Sequence, residues 1–163
     1  RLSEELDATR LYYGDSETRA AKEGKLAATR KLHASASVSS RARRATFNTS
    51  GSGAANLLGD NELVDDVSSG RVDLDEIKRE DLPEPMQALA PAAAEALIQE
   101  RAEQRQQLRA EIRSLSQQRS DFLKDKVEER GGAEASLDHR IYGAVRGQAA
   151  AKGLTYDVAA PAY

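Results

Sequence analysis

Residues 91–130 read PAAAEALIQE RAEQRQQLRA EIRSLSQQRS DFLKDKVEER, with Pro at the start and neither Gly nor a second Pro inside. Proline suits the first position of a helix, where the missing N–H would have had no partner, and Gly131-Gly132 supplies the stop. At 1.5 Å per residue, such a helix is on the order of 60 Å long. Leu108, Ile112, Leu115, Arg119 and Phe122 follow a heptad-like spacing that lays an apolar stripe along it. Upstream the same register meets Gln104, Arg101 and Leu97, so only half of the seam is apolar. A stripe of this kind calls for a partner helix.

Working outward, Ser136 caps a last helix over residues 137–152, closed by Gly153 with Leu154 behind it. Its face of Leu137, Ile141, Ala144, Val145 and Gln148 is the intramolecular partner expected for the long helix, since a glycine hinge favours an antiparallel return. The return helix is the shorter of the two. Part of the long one is therefore left uncovered, and an intermolecular interface is the competing expectation.

The remaining composition agrees with rods rather than a thick globule. The chain has 163 residues, and its 39% hydrophobic content is dominated by alanine, with only 30 Leu, Ile, Val and Phe residues together. Alanine buries little surface, so a compact core or an enclosed pocket is not expected. Scarcity of Val, Ile and Thr nearly excludes a sheet. The expected class is all-α: an extended helical hairpin or coiled-coil-like long helix, small accessory helices and a flexible Ser/Gly-rich linker. With no Cys, disulfides and Cys-type zinc sites are excluded, while the compartment stays open. No apolar run is long enough to cross a membrane. The start at Arg1-Leu2-Ser3 without Met reads as a fragment.

Residues 1–34 are expected to hold N-terminal helices, the tail end of a preceding domain or a linker from it. Ser3 opens the first, and Asp15 or Ser16 caps a second, interrupted at Gly24. Residues 35–58, rich in Ser, Gly and Arg, read as a flexible basic linker, and residues 59–90 as an acidic segment of short helices ended by Pro83 and Pro85. The long helix and its return occupy 91–154, and 155–163 is a tail without periodicity.

Charge is patterned although the net is only −3. Arg101, Arg105, Arg109 and Arg113 stack four cations on one helical ridge, with no acid three or four residues from any of them. Residues 60–81 are strongly acidic and 24–59 contain basic residues without an acid, so the acidic segment is expected to dock on one of these two. A nucleic-acid binder using the Arg-rich linker and the ridge is the alternative reading, opposed by the overall acidity and by the single aromatic, Phe47, among the cations. The acidic segment lacks the register of a calcium loop, and His33 and His139 have no third ligand at metal spacing, so an exposed or capping role is expected for them. Phosphate-loop and nucleophile-elbow motifs are missing, and no catalytic residue or cofactor is expected.

Several stretches resemble the region that follows the von Willebrand factor A (VWA) domain in exported bacterial proteins. They are Leu11-Tyr12-Tyr13-Gly14, Gly59-Asp60-Asn61-Glu62-Leu63-Val64-Asp65-Asp66-Val67, Gly70-Arg71-Val72-Asp73-Leu74 and Leu82-Pro83-Glu84-Pro85-Met86. The likeness continues through the Gln/Arg-rich helix to Ser136-Leu137-Asp138 and Val145-Arg146-Gly147-Gln148-Ala149-Ala150. The family's metal-dependent adhesion loop belongs to the preceding domain, so no metal site carries over. The resemblance implies an extracytoplasmic C-terminal helical appendage of a larger protein. The expected function is a non-enzymatic interaction and scaffold module that contacts a protein partner, the preceding domain or a second subunit. Its expected contact residues are Arg101, Arg105, Arg109, Arg113, Leu108, Ile112, Leu115 and Phe122.

Overall fold

The computed structural model of the chain describes residues 1–130, 132 and 136–155. Among them there is no strand, only an isolated antiparallel bridge between Tyr12 and Glu62. The helices are α1 (Leu2–Ala8), α2 (Ser16–Ser35), α3 (Val38–Asn48), α4 (Gly51–Leu58), α5 (Leu63–Ser68), α6 (Glu84–Gln87), α7 (Pro91–Glu129) and α8 (Leu137–Ala150), with single 3-10 turns at Leu74–Glu76 and Arg79–Asp81. The all-α expectation holds, and α7 starts at its proline. The chain divides into two compact units, Arg1–Ser114 and Leu115–Tyr163.

In the first unit the expected linker is replaced by two helices. Serines that suggest loops are N-caps: the Ser37 hydroxyl accepts from the Ser40 N–H at 3.2 Å, and that of Ser50 from the Gly53 N–H at 3.1 Å. At Gly53 a Cβ would lie 1.8 Å from the Phe47 carbonyl oxygen, so only glycine lets α4 start this close to the end of α3. Leu57 and Leu58 then bury, which is what an unstructured linker would not do. Other boundaries shift too. α1 begins at Leu2, leaving Ser3 buried inside it instead of capping it. Asp15 does cap α2, accepting from the Thr18 N–H at 2.8 Å, and that helix runs through Gly24 without interruption. Pro83 leads into α6 and Pro85 lies within its first turn, where a missing N–H costs nothing.

Sparse apolar residues nevertheless assemble two small cores in this unit, which corrects the expectation that none would form. One holds Leu63, Val64, Leu82, Met86, Ala94 and Ile98; the other holds Leu6, Leu57, Leu108 and Ile112. α7 supplies both, with Ala94 and Ile98 for the first and Leu108 and Ile112 for the second, spaced so that one helical face serves all four.

The second unit contains the end of α7 and α8. Ser136 accepts from the His139 N–H at 3.1 Å, as its position requires. Gly153, at φ +73°, lets the Leu154 and Gly153 N–H groups reach the Ala149 and Ala150 carbonyls, each at 3.0 Å, the glycine stop read from sequence. Yet α8 buries none of its residues, and Leu137, Ile141 and Val145 stay exposed. Gly131 and most of the tail, 156–163, lie outside the described residues.

Candidate functional site

The arginine ridge divides according to what lies under it. Arg105 is buried, and its guanidinium donates from Nη1 to Glu62 Oε2 and from Nη2 to Glu62 Oε1, both at 2.8 Å. Its Nε reaches Thr9 Oγ1 at 3.0 Å, and Nη2 also reaches the Thr9 carbonyl at 2.9 Å. Glu62 is equally committed. It accepts from the Leu11 N–H at 3.0 Å and caps α5 through the Asp65 N–H at 2.9 Å. Every charge here has a matched partner, which is the condition for burying an ion pair at tolerable cost. The acidic segment does dock on the ridge, through this one carboxylate.

Arg105, Leu108 and Ile112, expected as contact residues, are all buried inside the first unit, on Glu62 or in the second core. Arg109 is partly buried, and its Nε and Nη2 lack hydrogen-bond partners. Burial, followed by repulsion from Arg105, lowers its pKa, so protonation is disfavoured relative to a solvated arginine. Arg101 is partly buried and bonds Gln104 at 3.1 Å, while Arg113 is exposed. Of the four arginines on the ridge, only Arg105 is fully buried.

A second buried polar cluster lay beyond sequence reasoning. His33, expected to be exposed or capping, is buried, with Nε2 2.8 Å from Asp7 Oδ2. The other Asp7 oxygen accepts from Arg10 Nη2 at 2.7 Å, and Arg10 Nη1 continues to the Leu57 carbonyl at 2.8 Å. Asp7, Arg10 and His33 thus tie α1 and its following loop to the ends of α2 and α4. His33 Nδ1 is buried and meets no hydrogen-bond partner among the described residues. Among the described residues no group of three His, Asp or Glu side chains is placed to hold a metal. Asp65 and Asp66, the centre of the acidic segment, instead share Arg71 at 2.5 and 2.8 Å.

The downstream half of the seam behaves differently. Leu115 and Phe122 on α7 are 47% and 59% exposed, and Leu137, Ile141 and Val145 on α8 are 71%, 53% and 45% exposed. All five belong to the second unit. Sequence periodicity locates them; only the structure separates them from Leu108 and Ile112, which continue the same stripe into a core. The pairings of His33 with Asp7 and of Arg105 with Glu62 and Thr9 carry no local signal, because the partners stand 26 to 96 residues apart. Comparison with protein-family models, curated proteins and solved structures finds no match.

Proposed function

We propose that the chain is a non-enzymatic helical interaction module that pairs with a second copy of itself through the exposed apolar faces of α7 and α8. The observation that carries this reading is the set of five large apolar side chains left uncovered between Leu115 and Val145. Water contact at such side chains is unfavourable by roughly 25 cal/mol per Å² of apolar surface, and helix-on-helix docking relieves it. Charge does not oppose the pairing. Residues 115–163 contain seven Lys and Arg against seven Asp and Glu, so two copies meet without net repulsion.

Sedimentation over a wide concentration range tests the reading. The unmodified chain is expected to move from monomer to dimer as concentration rises, and the variant carrying Phe122→Glu and Ile141→Glu to stay monomeric with its helical circular dichroism intact. A wild-type chain that remains monomeric throughout defeats it. The resemblance to the segment following VWA domains supports a further part of this reading, that the module is the extracytoplasmic C-terminal appendage of such a protein. The upstream sequence of the native polypeptide decides that part, and lack of a preceding VWA domain would remove it.

A further inference from the structure

A hollow of about 400 Å³ lies in the first unit between α2, α3 and the end of α4. Its wall carries Arg10, Lys22, Lys25 and Arg44 and no carboxylate. Two of these cations are already committed. Arg10 is held by Asp7 and the Leu57 carbonyl, while Lys22 donates to the Asp60 carbonyl at 2.7 Å and stands 5.4 Å from the centre of the Tyr12 ring. Together with the Tyr12 hydroxyl, bonded to the Leu58 carbonyl at 2.9 Å, they satisfy the carbonyl end of α4 and the residue just beyond Gly59.

Lys25 and Arg44 are not committed in this way: neither forms an ion pair among the described residues. Two donors at the same wall are also unused. Arg44 Nε and the Nδ2 of Asn48, a residue 5% exposed, are buried with no acceptor. Buried donors without acceptors are rare in folded proteins; the group that completes them here accepts hydrogen bonds, and the unpaired Lys25 and Arg44 beside them favour one that carries negative charge. No acid occurs between Gly24 and Gly59, so the local sequence offers no such group. Phe47, half-exposed, adds an aromatic face to the same wall, and the volume exceeds what a lone phosphate fills.

We propose that this hollow binds a small phosphorylated ligand bearing a planar ring, of the nucleoside phosphate class. Lys25, Arg44 and Asn48 take the phosphate and Phe47 takes the ring. The cations converge on a concavity instead of lining a track, which favours a small molecule over a nucleic-acid strand.

Titration of the full chain with a fluorescent adenosine monophosphate analogue tests the site, using unlabelled adenosine monophosphate, adenosine, ribose 5-phosphate and a short single-stranded oligonucleotide as competitors. The expected result is saturable one-to-one binding that adenosine monophosphate displaces and adenosine does not, weakening as salt rises. Combined Lys25→Glu and Arg44→Glu substitution is expected to weaken it by about tenfold or more. Lys25→Glu alone, at an exposed position, is expected to weaken it measurably with the thermal transition unchanged, so loss of fold cannot mimic the effect. Phe47→Ala is expected to erase the preference for adenosine monophosphate over ribose 5-phosphate. Lack of saturable binding, binding indifferent to Lys25→Glu, or no ring preference in the wild type would each overturn the assignment. Displacement by the oligonucleotide at a lower phosphate concentration than by adenosine monophosphate would overturn it in favour of a strand.

Discussion

Arg105 sits on α7 between the side chains that serve one core and those that serve the other, a position on the buried face that suits a long aliphatic residue. It is an arginine because Glu62 is needed elsewhere: the same carboxylate caps α5 and holds the Leu11 amide, and a capping acid buried this deeply requires a cation. Arg105→Met is therefore expected to cost about 3–5 kcal/mol in urea denaturation, since it strands Glu62, whereas replacing both partners by apolar residues is expected to cost less than the single change. Tyr12 gives a second test. Burial pushes its phenol above the ordinary 10.0, partly offset by Arg10, so the unfolded chain ionises first. Stability is then fully present below about pH 10 and falls as pH rises through the folded value. Tyr12→Phe is expected to flatten this alkaline slope and, by removing the bond to the Leu58 carbonyl, to cost about 1 kcal/mol at neutral pH. An unchanged slope in alkaline thermal melts would contradict it.

Among the elements, α3 and α4 show how the same residue type can be read in two ways. Serine and glycine in a row lower helix propensity, yet Ser37 and Ser50 each find a backbone N–H three residues on, and Gly53 permits the close turn between the helices. Gly53→Ala is expected to destabilise by about 1–3 kcal/mol or more, because the added methyl meets backbone and not a movable side-chain tip. Gly24→Ala is the contrasting change. That position lies inside α2 with open space around the Cβ, so the substitution is expected to stabilise by about 1 kcal/mol through helix propensity alone. Thermal melts of the two variants should move in opposite directions. The termini of α7 and α8, set by Pro91, Ser136 and Gly153, were legible because caps and breakers act within a few residues of themselves.

At the scale of the whole chain, apolar side chains are distributed unevenly between the two units. The first unit owns both cores and both buried ionic clusters, while α8 in the second buries nothing. Amide exchange measured on dilute protein is expected to be more than about tenfold slower for residues 98–112 of α7 than for α8, because opening the former exposes two cores and opening the latter exposes none. Equal protection would mean that α8 has a covering surface. Repeating the measurement at high concentration adds a check on self-pairing, which should slow exchange in α8 and leave residues 98–112 as they were.

Helix type, the span of α7, the C-terminal glycine stop and the lack of a sheet among the described residues were determined by the sequence alone, since propensity, capping and periodicity operate over one or two turns. Which part of the apolar stripe is core and which part is surface was decided only by tertiary structure. Leu108 and Leu115 are equivalent by spacing, and they differ because the first packs in one core with Leu6 and Leu57 while the second is left 47% exposed. The neutralisation of Arg105 and the burial of His33 were settled at that level too. Coulomb attraction and desolvation depend on distance in space, and residues 43 and 26 positions apart are brought together only by the folded backbone.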